Sequence, residues 1–315
     1  MSEPLPLVTV IIAARPGQSE IEALEAGRQL DYPADRLEII LARGTQPSAQ
    51  RNAALRGARG EIIYFLDDDS VPLPGNVRRA VAHFLRPEVQ MAGGPAVCPP
   101  ASPPLEQVFA LVMGSRLAFG PSRARYLPVG KLRDTSEKEM ILCNQLARRS
   151  AMLELGGFDE ALYPNEENAL MDEIQARGGR LVYDPKLIAW RRPRRTLRAF
   201  LKMLLTYGRG RAEQFRLHPT PGSALNFIPP MFCVYLLLTP ILPGWCRWAW
   251  LLYALALVGQ TAALKTRSII HRVATIPLIF LSHICYGLGF WRGLFTRPRH
   301  KQRTKQTDAV LERIA

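Results

Sequence analysis

Apolar and polar residues alternate along residues 1–190 in blocks that predict strands and helices in turn. Three near-continuous apolar runs have the composition of buried parallel strands: LVTVIIAA, RLEIILA and EIIYFL. Apolar residues at helical spacing follow these runs, in SEIEALEAGRQL, PSAQRNAALRGARG and PGNVRRAVAHFLR. This order predicts an α/β domain with a mostly parallel sheet, whose ligands bind at the carboxyl ends of the strands.

The pattern changes after residue 225, where three long apolar runs follow one another: NFIPPMFCVYLLLTPIL, WAWLLYALALVGQTAAL and VATIPLIFLSHICYGLGFWRGLF. Each run reaches or approaches the length of a membrane span, so we expect transmembrane helices within residues 225–296. Basic residues lie both before and after the third run, as in cytoplasmic segments. Three full spans would separate them, so one run is expected to be re-entrant or interfacial, the third being the best candidate.

Residues 191–224 link the two regions and predict a basic amphipathic helix. Their apolar residues have helical spacing, with Arg and Lys between them: Leu197, Phe200, Leu201, Leu204 and Leu205. Such a helix is typical of membrane surfaces, and a solvated basic helix is the alternative. The sequence thus divides into a globular domain at 1–190, this segment, the apolar region 225–296 and a basic tail at 297–315.

The charge of the chain points to an acidic partner. The net charge is +14 and the isoelectric point is about 10.0. Because the basic clusters adjoin the apolar runs and carry no interleaved stacking aromatics, anionic membrane lipids are the expected partner, not nucleic acid. The five cysteines and five histidines have no metal-ligand spacing, which argues against a zinc site or a disulfide framework.

Three consecutive carboxylates end the third predicted strand, in EIIYFLDDDSVP. Asp67, Asp68 and Asp69 repel one another, whereas one Asp is enough to bond a turn. Carboxylates at spacing i, i+2 can hold Mg²⁺ or Mn²⁺, which completes its coordination with water and phosphate oxygens. The triplet therefore suits a metal and diphosphate site, although acidic triplets also occur in loops.

The chain as far as about residue 190 resembles the family 2 glycosyltransferases of the GT-A fold. The resemblance rests on the order and spacing of four segments: VTVIIAAR, LDYPADRLEIILARG, QRNAALRGARGEIIYFLDDDSVP and CNQLARRSAMLELGGFDEALYPNEENALMDEIQARGGRLVYDP. The basic segment YGRGRAEQFRLHP, followed by apolar helices, is similar to the membrane-attached enzymes of exopolysaccharide assembly, of the succinoglycan type.

The resemblance implies roles for particular residues. Asp67 and Asp69 match the metal-binding aspartates, and Asp68 is the variable middle position beside the nucleotide sugar. The loop that holds the nucleotide corresponds to Ala13, Ala14 and Arg15, and Asp67 would also contact the nucleotide sugar. By their positions alone, Arg43 and Arg51 are further candidates for nucleotide-sugar binding, with packing or solvation as the alternative for Arg51. Glu166 and Glu167 occupy the place of the catalytic Glu-Asp pair, with Glu167 as general base. Without the resemblance, a solvated helix N-terminus would explain both glutamates.

The chain also departs from the family pattern. Arg43 stands near the place where relatives often have an Asp that reads the nucleotide base. Glu167 is one methylene longer than the usual Asp. LIAWRRPRR offers Trp190 but no metal-binding His, and the QxxRW signature of processive synthases is absent from the sequence. We therefore expect one sugar to be added per acceptor.

The expected function is inverting, metal-dependent transfer of a sugar from a nucleotide-sugar donor to a membrane-bound, lipid-linked saccharide. The acceptor would be a polyprenyl-diphosphate-linked saccharide of cell-surface polysaccharide synthesis. The protein would be multi-pass in the inner membrane, with its catalytic domain in the cytoplasm. Two alternatives stay open: a transferase that uses polyprenyl phosphate directly, and a catalytically silent membrane assembly subunit.

Overall fold

The computed structural model describes residues 5–162, 164–217, 219–296 and 309–314. The strands are β1 (Val8–Ala14), β2 (Leu37–Arg43), β3 (Ile62–Asp67), β4 (Val71–Pro72), β5 (Val89–Gly93), β6 (Ala96–Val97), β7 (Arg133–Thr135), β8 (Gln145–Arg148), β9 (Arg180–Tyr183), β10 (Ala189–Trp190) and β11 (Val310–Ile314). The α-helices are α1 (Glu22–Arg28), α2 (Pro47–Gly57), α3 (Asn76–Val81), α4 (Pro104–Met113), α5 (Arg116–Phe119), α6 (Arg149–Glu154), α7 (Glu166–Ala176), α8 (Leu197–Leu217), α9 (Ile228–Leu238), α10 (Trp248–Ala262) and α11 (Ile269–Phe295).

Among the described residues, eight strands form one sheet in the order β11-β2-β1-β3-β8-β5-β9-β7. β1 pairs in parallel with β2 and β3, as the alternating pattern predicts. β5 and β9 also pair in parallel. The sheet as a whole is mixed, however, and not mostly parallel as expected, because β8 starts where β5 ends and runs antiparallel to both β3 and β5. β7 and β11 also pair antiparallel, at the two outer edges.

Helices cover both faces of this sheet, because its central strands are apolar on both sides. β1 and β3 are buried along nearly their whole length. On one face Val10, Ile12 and Leu66 pack with residues of α1 and α3. On the other face Ile11 and Phe65 pack with residues of α2, α6 and α7.

A second, three-stranded sheet has the strand order β4-β10-β6 and lies near the end of β3 that carries the acidic triplet. Trp190 pairs with Val71, which lies two residues after Asp69. The residue that follows Trp190 is Arg191, so this small sheet brings an arginine next to the acidic triplet although the two are more than a hundred positions apart in sequence.

The apolar region is helical, but the prediction of several transmembrane helices is wrong. α9 has 11 residues and α10 has 15, both shorter than the ~20 that a bilayer requires. Pro240 and Pro243 separate them and stop the helix that the apolar composition suggested. Among the described residues only α11, with 27 residues, is long and apolar enough to cross a membrane. The third run, which we expected to be the least suited to spanning, is thus the longest helix.

The amphipathic helix expected within residues 191–224 is present as α8, with Phe200 and Leu204 buried and Lys202 exposed. The basic tail expected at 297–315 lies outside the described residues apart from 309–314. Val310–Ile314 of that range form β11, which pairs antiparallel with β2. The chain therefore returns to the sheet of the globular domain after α11.

Gly60 marks a tight approach between β1 and the chain that leads into β3. A Cβ atom at this position would lie 2.4 Å from the backbone nitrogen of Thr9, whereas one at Gly57 would make an ordinary contact of 3.6 Å with Leu311. We expect Gly60→Ala to lower the free energy of unfolding by about 1–3 kcal/mol, as overpacking does. Gly57→Ala, the matched control, should leave it nearly unchanged. Urea denaturation measures both, and equal effects would contradict this interpretation.

Candidate active site

The carboxyl ends of the three parallel strands meet at one edge of the sheet. Ala14 pairs with Arg43 across β1 and β2, and Ala13 pairs with Asp67 across β1 and β3. Gln50 of α2 joins two of these ends, since its side-chain amide donates to the carbonyls of Ala14 at 2.8 Å and Ala42 at 2.6 Å. The predicted nucleotide loop and the acidic triplet are therefore neighbours.

Two arginines relieve the repulsion within the triplet. Asp67 binds Arg51 at 2.6 Å through one carboxylate oxygen and Arg191 at 3.0 Å through the other. Asp69 binds the same Arg191 at 2.8 Å. Burial by itself would raise the pKa of Asp67, but the charges of Arg191 and Arg51 hold this pKa below its usual range. Asp67 and Asp69 thus converge on a single cationic group.

Asp68 faces away from that cationic group. Its carboxylate accepts a hydrogen bond of 2.7 Å from Gln18, in the loop after β1. Its backbone carbonyl accepts from the amide of Ala23 in α1. Asp68 therefore fixes the position of the predicted nucleotide loop, while Asp67 faces the cavity described below and Asp69 borders a smaller cavity that shares Arg191 with it.

Arg51 also connects the triplet to the predicted catalytic glutamates. Its guanidinium lies 2.6 Å from Asp67 and 3.4 Å from Glu166, and its side chain is almost fully buried. Glu166 and Glu167 form the first turn of α7, where the helix dipole favours acids. The residue before them, Asn165, has a φ of 98° and turns the chain into this helix.

Glu166 and Glu167 have different surroundings. Glu166 is 3% exposed, and its second carboxylate oxygen has no hydrogen-bond partner among the described residues. Burial, followed by the neighbouring Glu167, raises the pKa of Glu166 to about 8. Glu167 is half-buried, and its carboxylate accepts a hydrogen bond of 3.3 Å from Asn168. The buried glutamate therefore favours its neutral form, and Glu167 is the more accessible of the two carboxylates.

A cavity of about 420 Å³ contains Asp67, Glu166, Glu167 and Arg191 in one wall. The C-terminal helices and the segments between them also line it, with Tyr207, Arg211, Leu225, Ile228 and Tyr286. The cavity thus joins charged side chains of the globular domain to apolar and aromatic side chains of the C-terminal region.

Helix α8 supports the turn that carries the glutamates. A Cβ atom at Gly210 would lie 2.4 Å from the side-chain amide of Asn165 and 3.0 Å from the carbonyl of Pro164. Next to this glycine, the buried Arg211 binds Glu137 at 2.9 Å. Small residues such as Gly210 therefore let α8 pack directly behind the turn that carries the glutamates.

Arg43 has a structural role at the edge of the site. It binds Glu312 of β11 at 2.7 Å and donates to the backbone carbonyl of Gln18 at 2.8 Å. It also donates to the carbonyl of Arg15 at 3.4 Å. The arginine that replaces the expected base-reading Asp thus joins the nucleotide loop to the C-terminal strand.

A divalent cation fits the donor set, because two carboxylates already share one cation at distances of 3.0 Å or less. The described residues contain no group of three or more His, Cys, Asp or Glu side chains that could hold a metal. The remaining ligands would therefore have to come from water and a substrate phosphate, as is usual for Mg²⁺.

Sequence reasoning missed Arg191 and Tyr207 as parts of the site. From the sequence, Arg191 belongs to the charge run RRPRR, and this run predicts a basic segment at the membrane surface. The signal that could have identified it is the apolar doublet Ala189–Trp190 immediately before it, which reads as the end of a short strand.

Comparisons with known proteins agree with this geometry. Residues 62–263 match the model of the Glycosyl transferase family group 2. A protein called pre-mycofactocin glycosyltransferase, from two strains of Mycobacterium tuberculosis, is 28% identical over 180 residues. These residues are 57% of this chain and 37% of the relative, so the chain spans well under half the length of the curated relatives that it matches.

Among solved structures, the mannosyltransferase PcManGT from Pyrobaculum calidifontis, in complex with GDP-Man and Mn²⁺, superposes with a TM-score of 0.53 at 19% identity. The match covers 92% of this chain and 88% of that one, which shows a shared fold. Because the family model covers more than half of the chain, including β3, the acidic triplet and α7, this protein belongs to the Glycosyl transferase family group 2.

Proposed function

We propose that the protein transfers a sugar from a nucleotide-sugar donor to a lipid-linked saccharide at a membrane surface, with the help of a divalent cation. The observation that carries this proposal is a cavity lined both by the charged site and by apolar side chains of the C-terminal helices, such as Leu225 and Ile228. The charged side chains suit a sugar diphosphate, and the apolar side chains suit the lipid portion of an acceptor.

The donor would lie along the carboxyl ends of β1, β2 and β3. The loop of Ala13, Ala14 and Arg15 borders the place for the nucleotide, and Arg43 and Gln18 hold this loop in position. Asp67 and Asp69 would hold Mg²⁺ or Mn²⁺. Such an ion supplies charge that stabilises a leaving diphosphate.

The two glutamates would divide the acid–base work between them. With a pKa of about 8, Glu166 keeps its proton at neutral pH, so a proton from the acceptor cannot go to it. Glu167 is the proton acceptor that we propose for the attacking hydroxyl of the acceptor. The hydroxyl oxygen bonds to the anomeric carbon as the bond to the diphosphate breaks, and a single displacement inverts the configuration.

Membrane attachment is supported by the apolar exposed surface of the C-terminal helices and by the basic residues around them. An enzyme held there would meet an acceptor whose lipid is embedded in the bilayer. A polyprenyl phosphate used directly as acceptor would satisfy the same cavity.

The test is a donor screen with the detergent-solubilised protein. It is incubated with a panel of nucleotide sugars, Mn²⁺ or Mg²⁺, and either lipid-linked saccharides or polyprenyl phosphate, and release of nucleoside diphosphate is followed. Release that requires the lipid-linked saccharide supports the proposal, whereas release with polyprenyl phosphate alone favours the alternative acceptor. A protein that neither binds nor turns over any donor would be a silent subunit.

We expect Asp69→Ala to lower the rate of nucleoside diphosphate release about a thousandfold or more, because charge stabilisation by a metal is worth several kcal/mol.

Glu167→Gln should lower kcat by about 10²–10⁴-fold with little change in the KM for the donor, as loss of a general base does. Glu173→Gln, on the same helix but paired with Arg177, is the control and should be unaffected. Full activity of Glu167→Gln would place the base elsewhere.

Arg191 competes with a metal for the same carboxylates. Removing it with Arg191→Ala should raise the affinity for Mn²⁺ in the absence of nucleotide by about tenfold, which is ~1.4 kcal/mol of lost competition. Arg192→Ala is the matched control, since Arg192 binds Glu106 at 2.5 Å instead. Titration of Mn²⁺ followed by electron paramagnetic resonance measures both affinities. An unchanged or weaker affinity in Arg191→Ala would show that the carboxylates do not bind the metal.

The free energy of unfolding should decrease as the pH rises, because of the raised pKa of Glu166. Its pKa is about 8 in the folded protein. The pKa of an unfolded Glu is about 4.3. Between these values the folded state holds a proton that the unfolded state has released, so stability decreases as the pH rises through this window.

Glu166→Gln has no such titration, and its Tm should therefore fall less than that of the wild type between pH 5 and pH 8. Scanning calorimetry with a chelator present measures the difference. Glu20→Gln, an exposed position, serves as the control and should follow the wild type. Parallel curves for the wild type and Glu166→Gln would contradict the raised pKa.

A further inference from the structure

Helices α9, α10 and α11 expose an unusually large apolar surface. The exposed large side chains on these helices and on the chain beside them are Leu225, Ile228, Met231, Leu237, Leu238, Ile241, Trp245, Trp248, Leu251, Leu252, Leu255, Val258, Ile269, Ile270, Val273, Leu288 and Phe295. A patch of this size on a water-soluble surface would promote association, so it needs a partner. We call this set of side chains the apolar face.

If that partner is a lipid bilayer, the path of the chain limits how many times the helices can cross it. β10 ends at Trp190, before α8, and β11 at Val310–Ile314 pairs with β2 after α11. Both strands belong to the same globular domain, so they lie on the same side of any membrane. The segment between them must therefore cross a bilayer an even number of times or not at all.

Among the described residues only α11 is long and apolar enough to cross a bilayer. A crossing by α11 alone would give an odd number of crossings, which the path of the chain does not allow. α11, at 27 residues, is about 40 Å long. With the 3₁₀ turn Pro221–Phe227 before it, α9 belongs to an apolar helical segment, Gly222–Leu238, that is still shorter than the ~20 residues of a span. α10, with 15 residues, is about 22 Å long, short of a hydrocarbon core of ~30 Å. If α10 nevertheless crossed together with α11, the loop that contains Lys265 and Arg267 would lie on the far side, against the positive-inside tendency.

The packing of α11 also opposes a crossing. Leu278 and Ile279 belong to one hydrophobic cluster with Phe109 of α4. Farther along, His283 bonds the backbone carbonyl of Leu117 at 2.9 Å. At its other end, Gly293 lies close to the backbone of α8, where an added Cβ would be 2.4 Å from the carbonyl of Arg209.

Positions 278 and 293 of α11 are separated by ~22 Å of helix. The globular domain and the basic α8 therefore run alongside α11 over most of a hydrocarbon thickness. A perpendicular α11 would carry them into the bilayer, where charged side chains are costly.

We propose that α9, α10 and α11 lie in the plane of one leaflet, as a monotopic platform whose apolar face enters an anionic bilayer without crossing it. Charge complementarity supports this occupant, since exposed basic residues lie on or beside the platform: Arg198, Lys202, Arg216, Arg247, Lys265, Arg267 and Arg292. Leu225 and Ile228 belong both to the apolar face and to the wall of the cavity. An acceptor lipid would thus enter the site sideways from the leaflet.

This inference rests on the membrane attachment proposed above, and the first experiment isolates that part. The purified chain is floated with vesicles of phosphatidylethanolamine and phosphatidylglycerol. We expect it to float, and failure to do so would overturn membrane attachment itself. The double variant Leu252→Glu, Leu255→Glu should reduce the bound fraction about tenfold or more, because two apolar anchors become charged. Leu85→Glu, an equally exposed leucine on the globular domain, should bind like the wild type.

The second experiment tests the in-plane arrangement alone. Cys98, Cys246 and Cys285 are replaced by serine, which leaves only the buried Cys143 and Cys233. Lys265→Cys or Arg59→Cys is then introduced, and a membrane-impermeant maleimide is added to intact spheroplasts and to inverted membrane vesicles. Arg59 is an exposed residue of the globular domain and reports the side on which that domain lies.

We expect Lys265→Cys to react from the same side as Arg59→Cys. Reaction from the opposite side would show that α10 and α11 cross as a hairpin and would overturn the proposal while leaving membrane attachment intact. Failure to react from either side would overturn it as well, because the platform keeps Lys265 in the headgroup layer.

Discussion

The site depends on the compensation of three carboxylates by two guanidinium groups. Asp67 and Asp69 lie about a hundred residues before Glu166 in the chain, and Arg51 and Arg191 hold the three side chains together. Buried charges of one sign are unstable without such partners. Because Arg51 of α2 contacts both Asp67 and Glu166, the acidic triplet and the first turn of α7 share one positioning group.

The chemistry-bearing residues could be predicted from sequence because they follow strands and begin a helix. The carboxyl ends of β1 and β3 are adjacent by the rule for parallel strands, so Ala13 and Asp67 had to be neighbours. Arg191 could not be found in this way. It reaches Asp69 through the pairing of two strands of only two residues each, β4 and β10, and such short pairings leave almost no periodic signal. The proposed role of Glu167 comes from the family resemblance, whereas the different surroundings of Glu166 and Glu167 are visible only in the structure.

The apolar region shows the limit of composition as a guide. Runs of 17 or more apolar residues suggested spans, but proline positions, not hydropathy, decide where α9 ends and α10 begins. The return of the chain to the sheet as β11 was equally hidden, because VLERI has the pattern of many short amphipathic segments. Because β11 pairs with β2, the chain between residues 190 and 310 begins and ends in the globular domain, which restricts how this segment can cross a membrane. The glycines of α8 and α11 then have a common explanation, because they let two long helices pack closely against each other and behind the turn that carries Glu166 and Glu167.

The central claim is that the acidic triplet binds a cation that grips a diphosphate, with Arg191 as the group displaced. The most direct measurement is a crystal structure of the protein with Mn²⁺ and a nucleoside diphosphate, in which anomalous scattering locates the metal. The account predicts a manganese peak between Asp67 and Asp69, with phosphate oxygens completing its coordination and the Arg191 guanidinium moved off both carboxylates. A nucleotide bound elsewhere, or Arg191 still bridging the two aspartates beside a bound nucleotide, would contradict it.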